Sequence, residues 1–241
     1  MVVVRARRIG KTFTTGGETV HAVDDVSLDV PAGRMLVLIG ASGSGKSTLL
    51  NLIGGLERPD SGALTVLGTD LRTATARETA QLRLTRIGFV FQDFNLVRDL
   101  TLAENVSLPL EGNGTARRPA RAAARDALDR VGLAGLADRY PAEVSGGQQQ
   151  RASIARAIVG ERELVLADEP TGALDSRTGR EIMDLLGGLR AEGVTVVLST
   201  HNPANLGHGD QVLELADGRT VPAVDRTTGG TAERTDGEGC P

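Results

Sequence analysis

The chain has 241 residues, 40% of them apolar, and 27 basic against 31 acidic side chains give a net charge of −4. Basic and acidic residues are interspersed, which excludes the basic stripe of a nucleic-acid binder, and no segment reaches the roughly 18 to 20 apolar residues needed to cross a bilayer. Cys240 is the one cysteine, so an internal disulfide framework is excluded and a reducing cytosol is the expected home.

Aromatic residues make up only 2% of the chain and Trp is absent. The core must therefore be built from Val, Leu, Ile and Ala, a composition that suits buried parallel strands flanked by helices. The basic residues are almost all Arg; Lys11 and Lys46 are the lysines. The first residues, Met-Val-Val-Val-Arg-Ala-Arg-Arg, hold no apolar run of signal-peptide length.

In chain order, residues 26–30 alternate like a half-buried strand, Pro31 to Gly33 turn the chain, and 35–39 (Met-Leu-Val-Leu-Ile) read as a fully buried strand. A glycine-rich loop follows, then a helix over about 46–56, ended by the turn formers of 57–62. Residues 63–92 hold a second strand-rich patch with a polar helix near 77–86 and a strand at 87–91. Residues 101–140 read as helical, with a loop at 112–114, and the segment 119–131 places Ala123, Ala127, Leu128 and Val131 on one face. A helix from 146 to about 159, a buried strand at 164–167, a helix at 176–190 and a strand at 194–199 complete the pattern.

Strands alternating with helices argue for a parallel sheet. The fold class is α/β: a phosphate-loop NTPase core with a mainly parallel sheet, an N-terminal antiparallel β patch and a helical subdomain inserted over about 93–144. One domain spans 1–220. The polar, glycine-rich tail 221–241 is expected to be disordered.

The loop Gly40-Ala-Ser42-Gly43-Ser-Gly45-Lys46-Ser47-Thr48 fits the pattern G-x-x-x-x-G-K-[ST], with a strand before it and a helix after it. Its glycines let the backbone wrap phosphates, its N–H groups form an anion nest, and the helix adds its positive dipole end. Lys46 is expected on the β- and γ-phosphates of a nucleoside triphosphate and the Ser47 hydroxyl on Mg²⁺.

The strand at 164–167 runs into two carboxylates. Asp168 is expected to face the Mg²⁺ shell, and Glu169 to orient and deprotonate a water near the γ-phosphate. A second anion site is predicted at Ser145-Gly146-Gly147-Gln148, where Ser145 caps a helix whose N–H groups two glycines leave accessible. It lies far in sequence from the first, and a head-to-tail pair of chains brings the two together on one phosphate.

With Val144 in front, that segment resembles the L-S-G-G-Q signature of the ATP-binding subunits of ABC transporters, and the resemblance extends over about residues 2–220. It implies that Gln92 reaches Mg²⁺ and the attacking water, that Asp175 in Ala173-Leu174-Asp175 sits at the dimer seam, that His201 contacts the γ-phosphate, and that Phe13 stacks on adenine. The chain departs from the family pattern at Val144 (Leu), Phe13 (Tyr) and Asn202 (Asp).

Residues 86–96, 100–106 and 108–110 resemble the macrolide-export and lipoprotein-release branch, whose ATPases work by mechanotransmission, and Phe94, Asn95 and Leu96 fall where a permease segment would dock. The resemblance implies an ATP hydrolase that uses ATP and Mg²⁺, closes as a homodimer and drives a separate integral-membrane permease from the inner face of the cell membrane, exporting or extracting a peptide, lipid-like or antibiotic substrate. The alternative is an ATPase that signals through a membrane partner to a cell-wall hydrolase.

Overall fold

The computed structural model describes residues 1–221; Val221, given to the tail, ends a strand instead, and the rest of the tail expectation, 222–241, lies outside the described residues. Two sheets stack against each other. Strands β1 (Val2–Thr15) and β2 (Glu18–Pro31) form a long antiparallel hairpin. They join β4 (Ser61–Val66) and β5 (Thr69–Asp70) in the order β2-β1-β4-β5. The second sheet runs β10 (Arg219–Val221), β9 (Gln211–Ala216), β3 (Met35–Ile39), β8 (Thr195–Thr200), β7 (Leu164–Asp168) and β6 (Ile87–Val90). All neighbours in it are parallel except β9 with β10.

The strand period of two explains how one parallel strand serves two cores. On β3, Leu36 and Leu38 face the layer shared with the antiparallel sheet, while Met35 and Val37 face the helices. On β7, Leu164 and Leu166 belong to the first layer, Val165 and Ala167 to the second. Each such Val, Leu or Met side chain, removed wholly from water, contributes roughly 1.5–3 kcal/mol of burial free energy.

The helices are α1 (Lys46–Ile53), α2 (Ala76–Thr85), α3 (Leu102–Gly112), α4 (Arg117–Arg130), α5 (Gly146–Ile158) and α6 (Ser176–Ala191). Thr75, Thr101, Ser145 and Asp175 cap α2, α3, α5 and α6. Helices α3 and α4 lie in the chain between β6 and α5 and pack with α5 in the same apolar cluster, through Val106, Leu128 and Ile154.

Two expectations shift, and one strand lies where only a general β patch is expected. Helix α1 stops at Ile53, short of 56, because Gly54 and Gly55 end it; Gly55 sits at φ 64. The apolar face of α4 is Ala120, Ala124, Ala127 and Leu128, whereas Ala123 is only half-buried. Strand β1, whose charged residues hide its alternation, had no residue-level signal; Val4, Ala6 and Ile9 point inward while Arg5, Arg7 and Arg8 stay exposed.

Because β3, β7 and β8 run parallel and in register, with Ile39 opposite Thr200 and Asp168 opposite Ser199, their C-terminal ends meet at one edge. That edge carries the phosphate loop, the two carboxylates and His201.

Candidate nucleotide site

Helix α1 has no side-chain cap, so its first N–H groups remain available to a bound anion. Gly45 precedes it at φ 101, in the left-handed region, and a Cβ there would run into the carbonyl of Ala22. Only glycine fits both demands. The Lys46 ammonium is held inside the loop, donating to the carbonyls of Gly40 at 2.8 Å and Ala41 at 2.9 Å, and is nearly buried.

The loop opens on a cavity of about 710 Å³ whose wall includes Ser42, Gly43, Gly45, Lys46, Ser47, Thr48, Gln92, Glu169 and His201. Val20, His21, Ala22 and Asp217 line it too, and sequence reasoning missed all four. They come from the tip of the β1–β2 hairpin and from the β9–β10 turn, and no motif marks them.

Glu169 adopts φ 45, an uncommon conformation for a residue with a Cβ. Its backbone N–H donates to the Ser199 hydroxyl at 3.1 Å, and that hydroxyl donates to Asp168 at 2.5 Å. Ser199 thus fixes both carboxylate residues, although in the sequence it looks like an ordinary strand residue. The Glu169 carboxylate lies between two nitrogens, with Oε2 2.9 Å from His201 Nδ1 and Oε1 4.0 Å from Lys46 Nζ. Gln92 reaches the same turn: a Cβ on Gly172 would be 3.5 Å from the Gln92 amide nitrogen.

Not every predicted residue lines the cavity. Gly40 packs under the loop, against the carbonyl of Leu215, and Asp168 lies beneath Glu169 on Ser199. Phe13 stands on the hairpin opposite the cavity-lining Val20, partly exposed, with the Lys11 ammonium 5.4 Å from its ring centre.

Among the described residues no three His, Cys, Asp or Glu side chains converge as a metal site. The oxygen donors expected to serve a metal are the Ser47 hydroxyl and the Gln92 amide, which line the cavity, and the Asp168 carboxylate, set behind Glu169. That all-oxygen set suits Mg²⁺, which keeps several waters and takes phosphate oxygens from a nucleotide.

Ser145, Gly146, Gly147, Gln148 and Asp175 line a second cavity, of about 390 Å³, that shares no residue with the first. Ser145 and Gln148 form a reciprocal cap: the Ser145 hydroxyl accepts from the Gln148 N–H at 3.3 Å, and the Gln148 side chain accepts from the Ser145 N–H at 2.9 Å. A Cβ on Gly147 would lie 2.6 Å from the Thr178 methyl. Asp175 caps α6 and accepts from the Thr178 hydroxyl at 2.6 Å, which with the Thr178 and Arg177 N–H groups holds its carboxyl below the usual range.

A third depression, of about 500 Å³, is mostly apolar and lies among Leu84, Phe89, Phe91, Leu108, Pro109, Asn95 and Arg156. Of the three residues expected at a docking surface, only Asn95 lines it. Phe94 turns its ring toward Gly146, because its φ of 61 redirects the side chain, and Leu96 packs into the core around α5.

A family model described as ABC transporter matches residues 23–172. The macrolide export ATP-binding/permease protein MacB 1/2 of Paracoccus denitrificans is 44% identical over 230 residues, which is 95% of this chain and 34% of that protein. MacB of Agrobacterium fabrum is 45% identical over 216 residues, 90% of this chain and 33% of its own length. The chain therefore spans about a third of the length of the curated relatives it matches. Among solved structures, the dimeric structure of MJ0796, a bacterial ABC transporter cassette, superposes with a TM-score of 0.83 at 39% identity, covering 90% of this chain and 96% of that one. A second structure of that cassette, a dimer in a post-hydrolysis state bound to ADP and Pi, matches equally well.

Proposed function

The chain belongs to the ABC transporter family, as an ATP-hydrolysing cassette, and we propose that it drives a membrane permease by closing head to tail with a second copy over two ATP molecules. The single observation carrying this reading is the separation of the two anion sites. The α1 N-terminus and the α5 N-terminus open into cavities with no residue in common, which supports a reading in which different copies bring the two onto one γ-phosphate.

In the closed pair, Lys46, Ser47, Thr48 and the loop N–H groups grip the phosphates from one side. Ser145, Gly146, Gly147 and Gln148 of the second copy approach from the other, with Asp175 at the seam. Ser47, Gln92 and Asp168 would hold Mg²⁺, which would supply charge neutralisation at the phosphates. Glu169 accepts the proton of the attacking water, and its neighbour His201 holds the γ-phosphate side of the site. Phe13 provides a ring face for the base.

On this reading the permease is a separate chain, and the apolar depression beside Asn95, Phe91 and Leu108 would take its docking segment. The working position is the inner face of the cell membrane, and the task is export or extraction of a peptide, lipid-like or antibiotic substrate. Sequence likeness to proteins named for macrolide export supports the export direction. Sedimentation of the ATP-loaded protein tests the pairing: a dimer is expected, and a monomer with full turnover would sink it. ATP-dependent movement of solute in vesicles holding the membrane partner tests the transport half.

A further inference from the structure

Beyond the phosphate-gripping residues, helix α5 carries Arg156, whose guanidinium donates to the carbonyl oxygens of Asn95 at 2.5 Å and Phe94 at 2.8 Å. Those two residues are consecutive and both left-handed, Phe94 at φ 61 and Asn95 at φ 50, although neither is glycine. Phe in that region is disfavoured by its Cβ, so the bend persists only if something holds it. Two carbonyls pointing at one planar fork is such a restraint. Burial also pushes the Arg156 guanidinium below its ordinary pKa, so the restraint is not a freely solvated contact.

The bend touches both ends of the machinery. At one end, the tip of the Phe94 ring lies 3.8 Å from where a Cβ of Gly146 would stand, against the turn that opens α5. At the other, Asn95 and Arg156 both line the apolar depression next to Phe91 and Leu108. The bend also follows Gln92 by only two residues.

We propose that Arg156 is a positioning residue for ATP turnover, clamping the Phe94–Asn95 bend so that the Phe94 ring supports the Ser145–Gln148 turn presented to the second copy. The inference rests on the two-copy reading above and deepens it: Arg156 does not line the nucleotide cavity and acts through Phe94.

The test compares Arg156→Gln, Arg156→Lys and the double variant Arg156→Gln/Asn95→Gly with the parent. Gln cannot present two parallel N–H groups to two carbonyls, and Lys offers a point charge in place of the fork. Arg156→Gln is expected to bind a fluorescent ATP analogue within about twofold of the parent while kcat falls about tenfold, with Arg156→Lys between the two. Glycine at 95 adopts positive φ at no steric cost, so the double variant is expected to recover at least about half of the logarithmic loss. A purely structural arginine would lower Tm but leave kcat intact well below it, and would show no rescue by glycine. An unchanged kcat in Arg156→Gln, a loss of analogue binding in step with kcat, or a double variant no better than the single one overturns the proposal. Placing Glu169→Gln beside these variants keeps the two readings apart: failure of Glu169→Gln itself to dimerise with ATP strikes the two-copy reading, while the glycine rescue still judges Arg156.

Discussion

His201 Nδ1 lies 2.9 Å from Glu169 Oε2, and the backbone N–H of His201 points at the same oxygen, at 3.3 Å. The carboxylate proposed to activate water therefore also fixes the imidazole proposed to hold the γ-phosphate side. Glutamine at 169 keeps the shape and a carbonyl oxygen for His201 but loses the basic site. Glu169→Gln is expected to bind ATP normally, to lower kcat about a hundredfold or more, and to accumulate as an ATP-loaded dimer. Steady-state turnover with sedimentation checks this, and wild-type kcat would remove Glu169 from the role of base.

Ser145 sits at the mouth of the second cavity and caps α5. Replacing it with Arg removes the cap, at about 1 kcal/mol, and projects a long side chain toward the second copy. Ser145→Arg is expected to leave analogue binding by the single chain intact and to abolish ATP-driven pairing, taking turnover down with it. Ser145→Ala serves as control, because it shares the capping loss without the bulk. Equal turnover in Ser145→Arg and wild type would refute closure against this face.

The Thr178 methyl blocks any side chain at Gly147, and Thr178 cannot swing away because its hydroxyl is held by Asp175 at 2.6 Å. Gly147→Ala should cost about 1–3 kcal/mol of stability through this overlap, and it should displace the α5 N-terminus. Thr178→Ser drops the methyl and keeps the hydroxyl, so Gly147→Ala/Thr178→Ser is expected to regain most of the lost Tm. Thermal melts of the two variants decide it; no recovery would mean that the overlap is not the cause.

Asp210 ties the start of β9 to the start of β3. Its carboxylate accepts from the Met35 N–H at 2.8 Å, from Arg190 at 3.0 Å and from Arg34 at 3.2 Å. The Met35 N–H bond leads in holding its carboxyl below the usual range, the arginines adding to it. A carboxyl lowered by folding stabilises the fold above its unfolded pKa, and that contribution is lost as pH falls through the folded value. Asp210→Ala should therefore cost about 1 kcal/mol at neutral pH, and the gap to wild type should narrow on acidification below about pH 4. Denaturant melts at neutral and acid pH read the difference; a gap independent of pH would contradict the assignment.

Much of the architecture was legible because it depends on local chemistry. The run Met-Leu-Val-Leu-Ile at 35–39 had to be a strand buried on both faces, and the glycines, Lys46 and Ser47 after it could only be read as a phosphate loop opening a helix. The Ser145 cap was likewise local, needing just the four residues to Gln148. Where the signal was diluted, the reading slipped. The N-terminal β patch is legible as a class, but the bounds of β1 are not, because exposed arginines interrupt its apolar positions, and the end of α1 is blurred because two adjacent glycines allow either as the stop.

The chemical types at the site, and their order along the chain, were thus settled by the sequence alone, since bond geometry and side-chain chemistry act over a few residues. Which groups meet was decided only by the tertiary structure: Glu169 against His201, Ser199 under both carboxylates, Thr178 over Gly147, and Arg156 holding a bend some 60 residues earlier. Those pairings arise from parallel strands bringing distant segments to one edge and from helices packing across them. No period or spacing encodes such an encounter, because it depends on the register of strands far apart in the chain.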